Sequence, residues 1–436
     1  MKRECFPASW AIILFIFLSL SVSYGQNKHS PASRYPEYDG LVMCGYQGWF
    51  RAPEDGANEG WGHYAARGQF DSSHVHLDFW PDVSEYAKTY PTSLTNSDGS
   101  TARVFSSVDQ ATTDLHFSWM REYGIDGVFV QRFYGGLRTK QSRRHSRVVL
   151  EHALISSQKY GRALAVMYDL SGLGAEGEDC SPIIQDWKEL VDELNITSQP
   201  ANNYLYHRGK PVVAIWGLGF TDRPYNLHAI GIEKLIDFLK NDPHYGGCAI
   251  MLGVPTYFRE LDRDCVPDPY LHELMARADI IMPWMVGRFT PLQRDYLEQY
   301  HAKVEADIAW CKERQLDYVP CIYPGFSWYN LAKVESHGDA PLNQIPREKG
   351  AFYWSEISDA IQSGSRMFYV AMFDEMDEGT AIFKCSNHPP VGPKLSNFEG
   401  LPTDHYLWLT GEAGKMLRGE IQFSKQIPNR QMAKSN

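Results

Sequence analysis

The chain has no hydrophobic run long enough to cross a bilayer, which takes roughly 18 apolar residues. Its one apolar block near the start, from Ala11 to Leu20, is too short. A basic start precedes this block, and small residues near Ser23 and Gly25 follow it. That pattern is typical of a secretory signal peptide. We therefore predict a signal peptide over 1–25 and an exported protein, periplasmic or extracellular, with no membrane insertion after cleavage.

Basic residues are too few for a partner of strongly negative charge. Lys and Arg number 42 against 53 Asp and Glu, a net charge of −11. Proteins that bind nucleic acid or anionic membranes need a basic surface to neutralise phosphates. The charge balance therefore argues against both kinds of partner.

Cysteines are few and widely spaced. Eight are present, and seven remain if the signal peptide is removed. They form no CxxC motif and no tight Cys/His cluster, which argues against a structural zinc site. An exported protein can form disulfides, and Cys248 and Cys265 could close one loop. Cys44 and Cys321 fall in predicted strands, so we expect them to be buried thiols.

The chain also lacks a glycine-rich dinucleotide fingerprint after its first strand, which weakens the alternative of an open, doubly wound sheet. Eight short apolar runs instead alternate with stretches of helical length, the pattern of a (β/α)8 barrel. We predict one barrel domain over 26–424, with long βα loops and a polar tail over 425–436. The predicted strands are Leu41–Cys44, Gly127–Val130, Ala163–Met167, Pro211–Ile215, Cys248–Leu252, Asp279–Met282, Tyr318–Ile322 and Phe368–Met372.

Between the strands, six amphipathic stretches are predicted as helices. They are Thr113–Tyr123, Val148–Tyr160, Ile184–Leu194, Ile232–Leu239, Leu292–Arg314 and Glu356–Ser363. Two connections are much longer than the rest, 49–109 and 324–346. Long connections in a compact domain are usually functional, so we expect both to rise over the C-terminal face of the barrel.

Aromatic residues make up 13% of the chain, including 12 Trp. Aromatic rings, amides, arginines and carboxylates at strand ends are the groups that a carbohydrate site uses, because rings stack on sugar faces and polar groups bond the hydroxyls. In a barrel, the C-terminal strand ends form the site. The candidate substrate-binding residues are Tyr46, Gln47, Trp49, Gln131, Arg132, Tyr168, Asp169, Trp216, Trp284, Arg288, Tyr323, Trp328, Asp374 and Asp377.

The strongest chemical signal is an acidic cluster directly after the last predicted strand. Four of the five residues from Asp374 to Glu378 carry carboxylates, and a predicted buried strand lies directly before them. Repulsion between them raises some of their pKa values unless a partner compensates. A turn closed by Gly379 would aim Glu375 and Glu378 into one pocket, as a catalytic acid and base. We predict these two glutamates as the catalytic pair.

Two non-catalytic roles for the acidic cluster stay open on the sequence alone. The cluster could face solvent, or it could bind Ca²⁺, which takes clustered carboxylates, although no EF-hand pattern is present. His74, His76 and Asp78 could suggest a metal, but such a pair of histidines is more often plain loop structure. We predict neither a metal nor a cofactor.

These residues resemble a known family. The segment Phe373-Asp374-Glu375-Met376-Asp377-Glu378-Gly379-Thr380 is similar to the Phe-Asn-Glu-Trp-His-Glu-Gly-Thr signature of glycoside hydrolase family 99, the endo-α-mannosidases and endo-α-mannanases, which are related to the family 71 α-1,3-glucanases. Weaker likenesses are spread over the chain. They are Tyr46-Gln47-Gly48-Trp49-Phe50, Trp119-Met120-Arg121-Glu122-Tyr123-Gly124-Ile125-Asp126-Gly127-Val128 and Pro324-Gly325-Phe326.

The resemblance implies a (β/α)8 barrel that hydrolyses α-glycosidic bonds with retention, through attack by the substrate's own 2-hydroxyl and a 1,2-anhydro sugar. It implies that Glu375 deprotonates that hydroxyl, and that Glu378 protonates the leaving oxygen and then activates water. Three positions depart from the signature: Asp374 replaces Asn, Met376 replaces Trp and Asp377 replaces His. The class of chemistry therefore carries over better than the substrate.

The sequence thus predicts an exported retaining endo-α-glycosidase whose partner is a carbohydrate, with α-mannan as the best single candidate. The alternatives are a non-catalytic carbohydrate-binding protein on the same barrel and an α-1,3-glucanase-like enzyme. Arg132 and Arg288 also leave open a sulfated or uronic substrate. The sequence does not fix the oligomeric state.

Overall fold

The computed structural model describes residues 27–174 and 176–430. The predicted signal peptide and the last six residues of the predicted tail lie outside this range. Within it, Arg430 pairs with Asp404 through two hydrogen bonds of 2.6 and 2.7 Å. No helix of the described ranges is long and apolar enough to cross a membrane.

Eight parallel strands form a closed barrel, so the predicted fold class is confirmed. Seven of them are β1 (Val42–Tyr46), β4 (Gly127–Phe133), β5 (Ala163–Asp169), β7 (Lys210–Trp216), β8 (Ala249–Pro255), β9 (Ile280–Trp284) and β12 (Phe368–Val370). They pair in the order β9-β8-β7-β5-β4-β1-β12. The strands are buried along almost their whole length, as expected for a parallel sheet covered on both faces.

The remaining barrel strand is split into β10 (Asp317–Tyr318) and β11 (Cys321–Ile322). β10 pairs with β9 and β11 pairs with β12, so this one segment joins the two ends of the sheet. Val319 donates its N–H to Ile281 at 3.0 Å, and the Pro320 carbonyl accepts a hydrogen bond from the Tyr369 N–H at 3.1 Å. The ring of strands is therefore complete.

Helices lie outside the barrel and cover it. They are α1 (Gln110–Tyr123), α2 (Lys140–Ser146), α3 (Val148–Tyr160), α4 (Ser181–Leu194), α5 (Ile232–Asn241), α6 (Tyr270–Met275), α7 (Tyr296–Glu313), α8 (Tyr329–Val334), α9 (Ala351–Gln362) and α10 (His405–Leu417). All six predicted helices are present. The sequence pattern missed α2, α6, α8 and α10, of which three are only six or seven residues long and give too few turns for a clear period.

The two long connections pack against each other and against the acidic cluster. The first connection contains the hairpin of β2 (Tyr90–Thr95) and β3 (Thr101–Val104), and the second contains α8. Outside these connections, the short strand β6 (Tyr206–His207) pairs antiparallel with β7. Asp78, fully buried in the first connection, accepts hydrogen bonds from Ser327 Oγ at 2.5 Å and from the Asn330 N–H at 2.9 Å in the second. Its own N–H bonds the Met376 carbonyl at 3.2 Å.

Within the described residues the seven cysteines are all buried and free. The structure therefore does not contain the bond between Cys248 and Cys265 that their spacing allowed. Cys44 and Cys321 lie inside strands as expected.

Candidate active site

The acidic cluster follows β12 at the C-terminal end of the barrel. Glu375 is 3% exposed, and both its oxygens are occupied. Gln47 Nε2 donates to Glu375 Oε1 at 2.8 Å, and Thr380 Oγ1 donates to Glu375 Oε2 at 2.7 Å. Two fixed donors favour the ionised carboxylate and lock its orientation.

Glu378 lies in the turn that follows, and its side chain is partly exposed. The Ser327 N–H bonds the Glu378 carbonyl at 3.0 Å, which ties the turn to the second long connection. Gly379 closes the turn with φ +62°, and a Cβ there would lie 2.8 Å from the Ser327 carbonyl oxygen. Only glycine fits both the left-handed backbone and that close approach.

Arg347 fixes the same turn from behind. This buried guanidinium donates from Nη2 to the Gly379 carbonyl at 2.8 Å and to the Ala381 carbonyl at 2.7 Å. It lies over three rings, with centroid distances of 4.6 Å to Phe79, 4.9 Å to Phe398 and 4.4 Å to Tyr406. Its position makes it a positioning residue for the segment that carries Glu378.

Electrostatics separates the two glutamates from ordinary surface carboxylates. Burial, with a further contribution from Asp377, raises the pKa of Glu378 to about 7. Burial and the charges of Glu378 and Asp377 hold the pKa of Glu375 well above its usual value, while Thr380 and Gln47 oppose the shift. A pair of this kind can hold one proton between two carboxyl groups near neutral pH. The site can therefore supply an acid and a base at once.

Asp374 is fully buried beneath the site, where it does not face the opening of the barrel. Its two oxygens accept the N–H groups of Gln47 and Gly48, each at 2.8 Å. It therefore anchors the end of β1 and, through it, the Gln47 side chain that holds Glu375. Its place in the structure is that of a positioning residue rather than the predicted contact with substrate.

Asp377 contacts the first long connection. His63 Nδ1 lies 3.3 Å from Asp377 Oδ2, and Asp377 Oδ1 is buried without a hydrogen-bond partner. The His63 ring stacks on Trp49 at 3.8 Å between centroids, and Phe133 covers Trp49 at 5.2 Å. Trp49 is therefore stacked with two other rings, next to the histidine that contacts Asp377.

On β4 and on β5, two neighbouring candidate residues point to opposite faces of the strand. Gln131 donates to the Tyr369 hydroxyl at 3.4 Å inside the barrel, whereas Arg132 points outward and pairs with Asp186 of α4 at 2.5 and 2.7 Å. On β5, Tyr168 likewise donates to Asp186 at 2.9 Å, and Asp169 accepts the Ser171 N–H at 2.7 Å. Successive strand residues face opposite sides, so Arg132 and Tyr168 meet in a buried cluster at Asp186, and Arg132 also lines a cleft beside β4.

Two further candidate tyrosines also point into the helical layer. The Tyr46 hydroxyl lies 2.8 Å from His116 Nδ1 on α1, and the Tyr323 hydroxyl donates to the Phe289 carbonyl at 2.7 Å. Both residues are fully buried. Their hydroxyl groups form hydrogen bonds with groups of the protein itself.

The predicted tryptophans take different positions. Trp216 and Trp284 pack edge to face at 5.3 Å between centroids, at the ends of β7 and β9. Trp328 donates from Nε1 to Gln344 Oε1 at 2.8 Å in the second long connection. Arg288 is exposed, and its Nε pairs with Asp264 Oδ2 at 2.7 Å, so its charge is already matched.

The three residues that suggested a metal do not converge. His74 Nδ1 lies 2.8 Å from Asp71 Oδ1, His76 Nε2 lies 3.1 Å from Glu335 Oε1, and Asp78 holds the second long connection. Among the residues that the structure describes, no group of three or more His, Cys, Asp or Glu side chains is arranged to hold a metal ion.

A cleft of about 500 Å³ opens between the ends of β1 and β4 and helix α2. Gln47, which donates to Glu375, connects the cleft to the acidic cluster, and Trp49 and Phe133 form its aromatic wall. The polar residues Arg51 and His145 are also part of its lining. A cleft with an aromatic wall and a few polar groups suits a small part of a sugar chain.

Four residues that act on the acidic cluster were not among the candidates: His63, Arg347, Thr380 and Arg223, whose positive charge lowers the pKa of Glu378. Thr380 lies in the motif itself, and its short spacing from Glu375 was a usable signal. His63 lies in the first long connection and Arg347 directly after the second, where no periodic pattern fixes which side chains turn inward. Arg223 lies seven residues beyond the end of β7 and gave no strand-end signal.

Comparisons with known proteins agree with this fold. No family model and no curated protein matches the chain. Two solved structures of a family 99 endo-α-mannosidase from Bacteroides thetaiotaomicron are similar to it. One, in complex with bis-tris propane, has a TM-score of 0.61, 14% identity, and coverage of 88% of this chain and 98% of that chain. The other has a TM-score of 0.60, 15% identity, and coverage of 87% and 98%. At this identity the likeness confirms the resemblance at the level of the fold.

Proposed function

We propose that the protein is a retaining endo-α-glycosidase, with α-mannan as its substrate. The observation that carries the proposal is the unequal pair at the end of β12. Glu375 is buried and held by Gln47 and Thr380, while Glu378 is partly exposed with a pKa raised to about 7. The choice of mannan is supported by the names of the structurally similar enzymes, which are endo-α-mannosidases.

Each glutamate then has a distinct role. The Glu375 carboxylate removes the proton from the 2-hydroxyl of the bound sugar, and the freed oxygen attacks C1 as the bond from C1 to the leaving oxygen breaks. Glu378 gives its proton to that leaving oxygen. In the second half, Glu378 takes a proton from water, water opens the 1,2-anhydro ring at C1, and Glu375 returns its proton to O2. Atoms and protons balance over the two steps.

The positions of the two side chains support this division. A general base gains proton affinity when its pKa is raised, and the fixed donors on Glu375 keep it oriented for one proton. In the second step Glu378 takes a proton from water, so water must reach it, and Glu378 is the partly exposed member of the pair. Gly379 and Arg347 hold the turn that sets its direction.

We also propose that the protein is exported, because residues 1–25 have the pattern of a signal peptide. The mass and the N-terminal sequence of protein recovered from its native host would test this. A mature chain that retains Met1 would contradict export by cleavage.

The function is tested by a product screen. The mature protein and its Glu375→Gln and Glu378→Gln variants are incubated with α-mannans, α-1,3-glucans and charged polysaccharides, and released oligosaccharides are analysed by mass spectrometry. We expect oligosaccharides from α-mannan, with activity lowered by about 10²–10⁴-fold in each variant. Both substitutions are nearly isosteric, so unchanged circular dichroism would separate lost chemistry from lost folding.

Two outcomes would overturn the proposal. Release from α-glucan alone would replace the substrate, and binding without any release would make the protein a carbohydrate-binding protein. Proton NMR of the first product would test retention, since an inverted anomer is incompatible with two successive displacements at C1.

A further inference from the structure

An arginine that the mechanism does not use lies at the mouth of the barrel. Arg223 belongs to the connection that follows β7, and its guanidinium carbon lies 5.0 Å from the centre of the Trp216 ring and 5.5 Å from that of Phe220. Trp216 is the last residue of β7 and is paired in register with Asp169, the last residue of β5. Arg223 therefore lies over a ring at the C-terminal end of the barrel, close enough for its charge to act on Glu378.

The charge of Arg223 has no buried partner, unlike that of the other arginines considered for the site. Arg132 forms a buried pair with Asp186, and Arg288 pairs with Asp264 at 2.7 Å. The nearest carboxylate to Arg223 is its own chain neighbour Asp222, 3.6 Å from Nε and 73% exposed. Nε itself is buried and donates no hydrogen bond. Buried donors are nearly always satisfied, so an unsatisfied one at a site mouth indicates a missing acceptor.

The electrostatic surroundings point to the same place. The positive charge of Arg223 acts on the carboxyl groups of Glu378 and Asp169 and lowers the pKa of each against the effect of burial. Asp169 already accepts the Ser171 N–H at 2.7 Å, so it is not a dedicated partner of Arg223. A cation close to a catalytic acid disfavours its protonated form. An anion bound to Arg223 would remove that disadvantage.

We propose that Arg223 binds an anionic substituent of the sugar chain, a sulfate ester, a phosphate ester or a carboxylate. The planar guanidinium presents a fork of N–H donors that matches two oxygens of such groups. Packing over the Trp216 ring restricts the Arg223 side chain, which reduces the entropy lost on binding. The inference rests on the proposed function, since it places the substituent on a glycan bound at Glu375 and Glu378. It replaces Arg132 and Arg288 as the source of selectivity for charge.

Binding experiments separate this inference from the catalytic one. The Glu375→Gln protein is titrated calorimetrically with a neutral α-mannotetraose, with its sulfated and phosphorylated derivatives, and with an oligosaccharide that contains a uronic acid. We expect at least one anionic ligand to bind more tightly than the neutral one. Adding Arg223→Gln should lower the affinity for that ligand by about 10- to 100-fold, as for a lost hydrogen bond to a charged group. The affinity for the neutral ligand should stay nearly unchanged.

A matched control is available in the same chain. Arg314 also lies over a tryptophan, with its guanidinium carbon 4.0 Å from the Trp310 ring centre, near the end of α7. Arg314→Gln therefore removes the same charge and the same kind of ring contact, and should leave every affinity unchanged. Arg223→Lys keeps the charge but not the fork, and should restore only part of the selectivity.

Each result is decisive for one of the two proposals. Equal losses for neutral and anionic ligands would make Arg223 a structural residue and overturn the inference. A preferred anionic ligand whose affinity is insensitive to Arg223→Gln would also overturn it. If no oligosaccharide binds, the proposed function fails, and inorganic sulfate becomes the probe. If sulfate then binds the parent protein and its Arg223→Gln variant equally, Arg223 is not the anion site. If sulfate binds neither protein, the anion site is overturned as well.

Discussion

At the residue scale, the acidic cluster divides into groups with different partners. Asp374 accepts two backbone N–H groups, Glu375 accepts two side-chain donors, and Asp377 contacts His63. Glu378 has the least enclosed position of the four. Four neighbouring carboxylates of one sequence motif thus have four environments, and only Glu378 is partly exposed.

The raised pKa of Glu378 predicts how the reaction depends on pH. The leaving oxygen needs a proton, and burial together with Asp377 raises the pKa of Glu378 to about 7. The value of kcat/KM on α-mannan should therefore fall about tenfold per pH unit once the pH exceeds about 7, because the acid is then ionised.

Asp377 gives a direct test of this assignment. Asp377→Asn removes a negative charge that raises the pKa of Glu378, so the alkaline limb of the pH profile should move to lower pH. The measurement is kcat/KM from pH 4 to 10 for the parent protein and the variant, with Asp98→Asn in the exposed β2–β3 turn as control. An alkaline limb that stays in place in Asp377→Asn would assign it to another group.

Strand alternation explains why neighbouring candidates lie in different surroundings. Both Arg132 and Tyr168 were candidates at strand ends, but they face the helices and meet at Asp186. Gln131 and Asp169, their chain neighbours, point the other way. The residue types alone do not reveal which face of the strand each side chain points to. The pairing register with the neighbouring strands decides which residues face the barrel interior and which face the helices.

At the scale of elements, the turn after β12 is the least tolerant part of the site. Gly379 has φ +62°, and a Cβ would meet the Ser327 carbonyl oxygen at 2.8 Å and the Ser327 nitrogen at 2.9 Å. Both contacts are with backbone, so they cannot be relieved by a side-chain rotation. The Ser327 N–H also donates a hydrogen bond to the Glu378 carbonyl at 3.0 Å.

Gly379→Ala should therefore reduce activity by displacing Glu378, beyond its cost to stability. A left-handed residue with a Cβ costs about 1–2 kcal/mol by itself. Gly364→Ala is the matched control, because Gly364 has φ +95° and a Cβ added there would meet nothing within 4 Å. We expect both variants to lose stability in urea unfolding and only Gly379→Ala to lose turnover at full folding. Equal turnover in the two would show that the turn does not position Glu378.

At the scale of the whole molecule, the two long connections and the catalytic turn form one hydrogen-bonded unit. Asp78 joins them: it accepts from Ser327 Oγ, from the N–H groups of Tyr329 and Asn330, and from Asn330 Nδ2 at distances of 2.5 to 2.9 Å. These segments are separated by about 250 residues in the chain. The mouth of the barrel is therefore held by contacts that only the complete fold creates.

Asp78→Ala should loosen this unit. It removes the acceptor of four donors in a fully buried position, which we expect to cost about 3 kcal/mol or more of unfolding free energy. Activity should fall together with stability, because the Ser327 backbone also supports Glu378. The urea midpoint and the thermal transition measure the effect, and Asp98→Ala in the exposed turn should change either by little. A midpoint for Asp78→Ala equal to that control would contradict the role of Asp78.

The sequence by itself determined the barrel and the acid pair. Eight apolar runs separated by amphipathic stretches leave few arrangements other than a closed parallel sheet, and all eight runs became barrel strands. The motif from Phe373 to Thr380 is contiguous, so its chemistry could be predicted without knowing the fold.

Only the tertiary structure decided what surrounds that pair. Gln47 and Glu375 are 328 positions apart, Asp78 and Ser327 are 249 apart, and Arg223 reaches the site from a connection with no periodic pattern. Side chains at such separations meet because barrel closure brings all the C-terminal strand ends to one face. Local sequence patterns carry no record of that closure, so the partners of each carboxylate and the unsatisfied Nε of Arg223 became visible only in the folded chain.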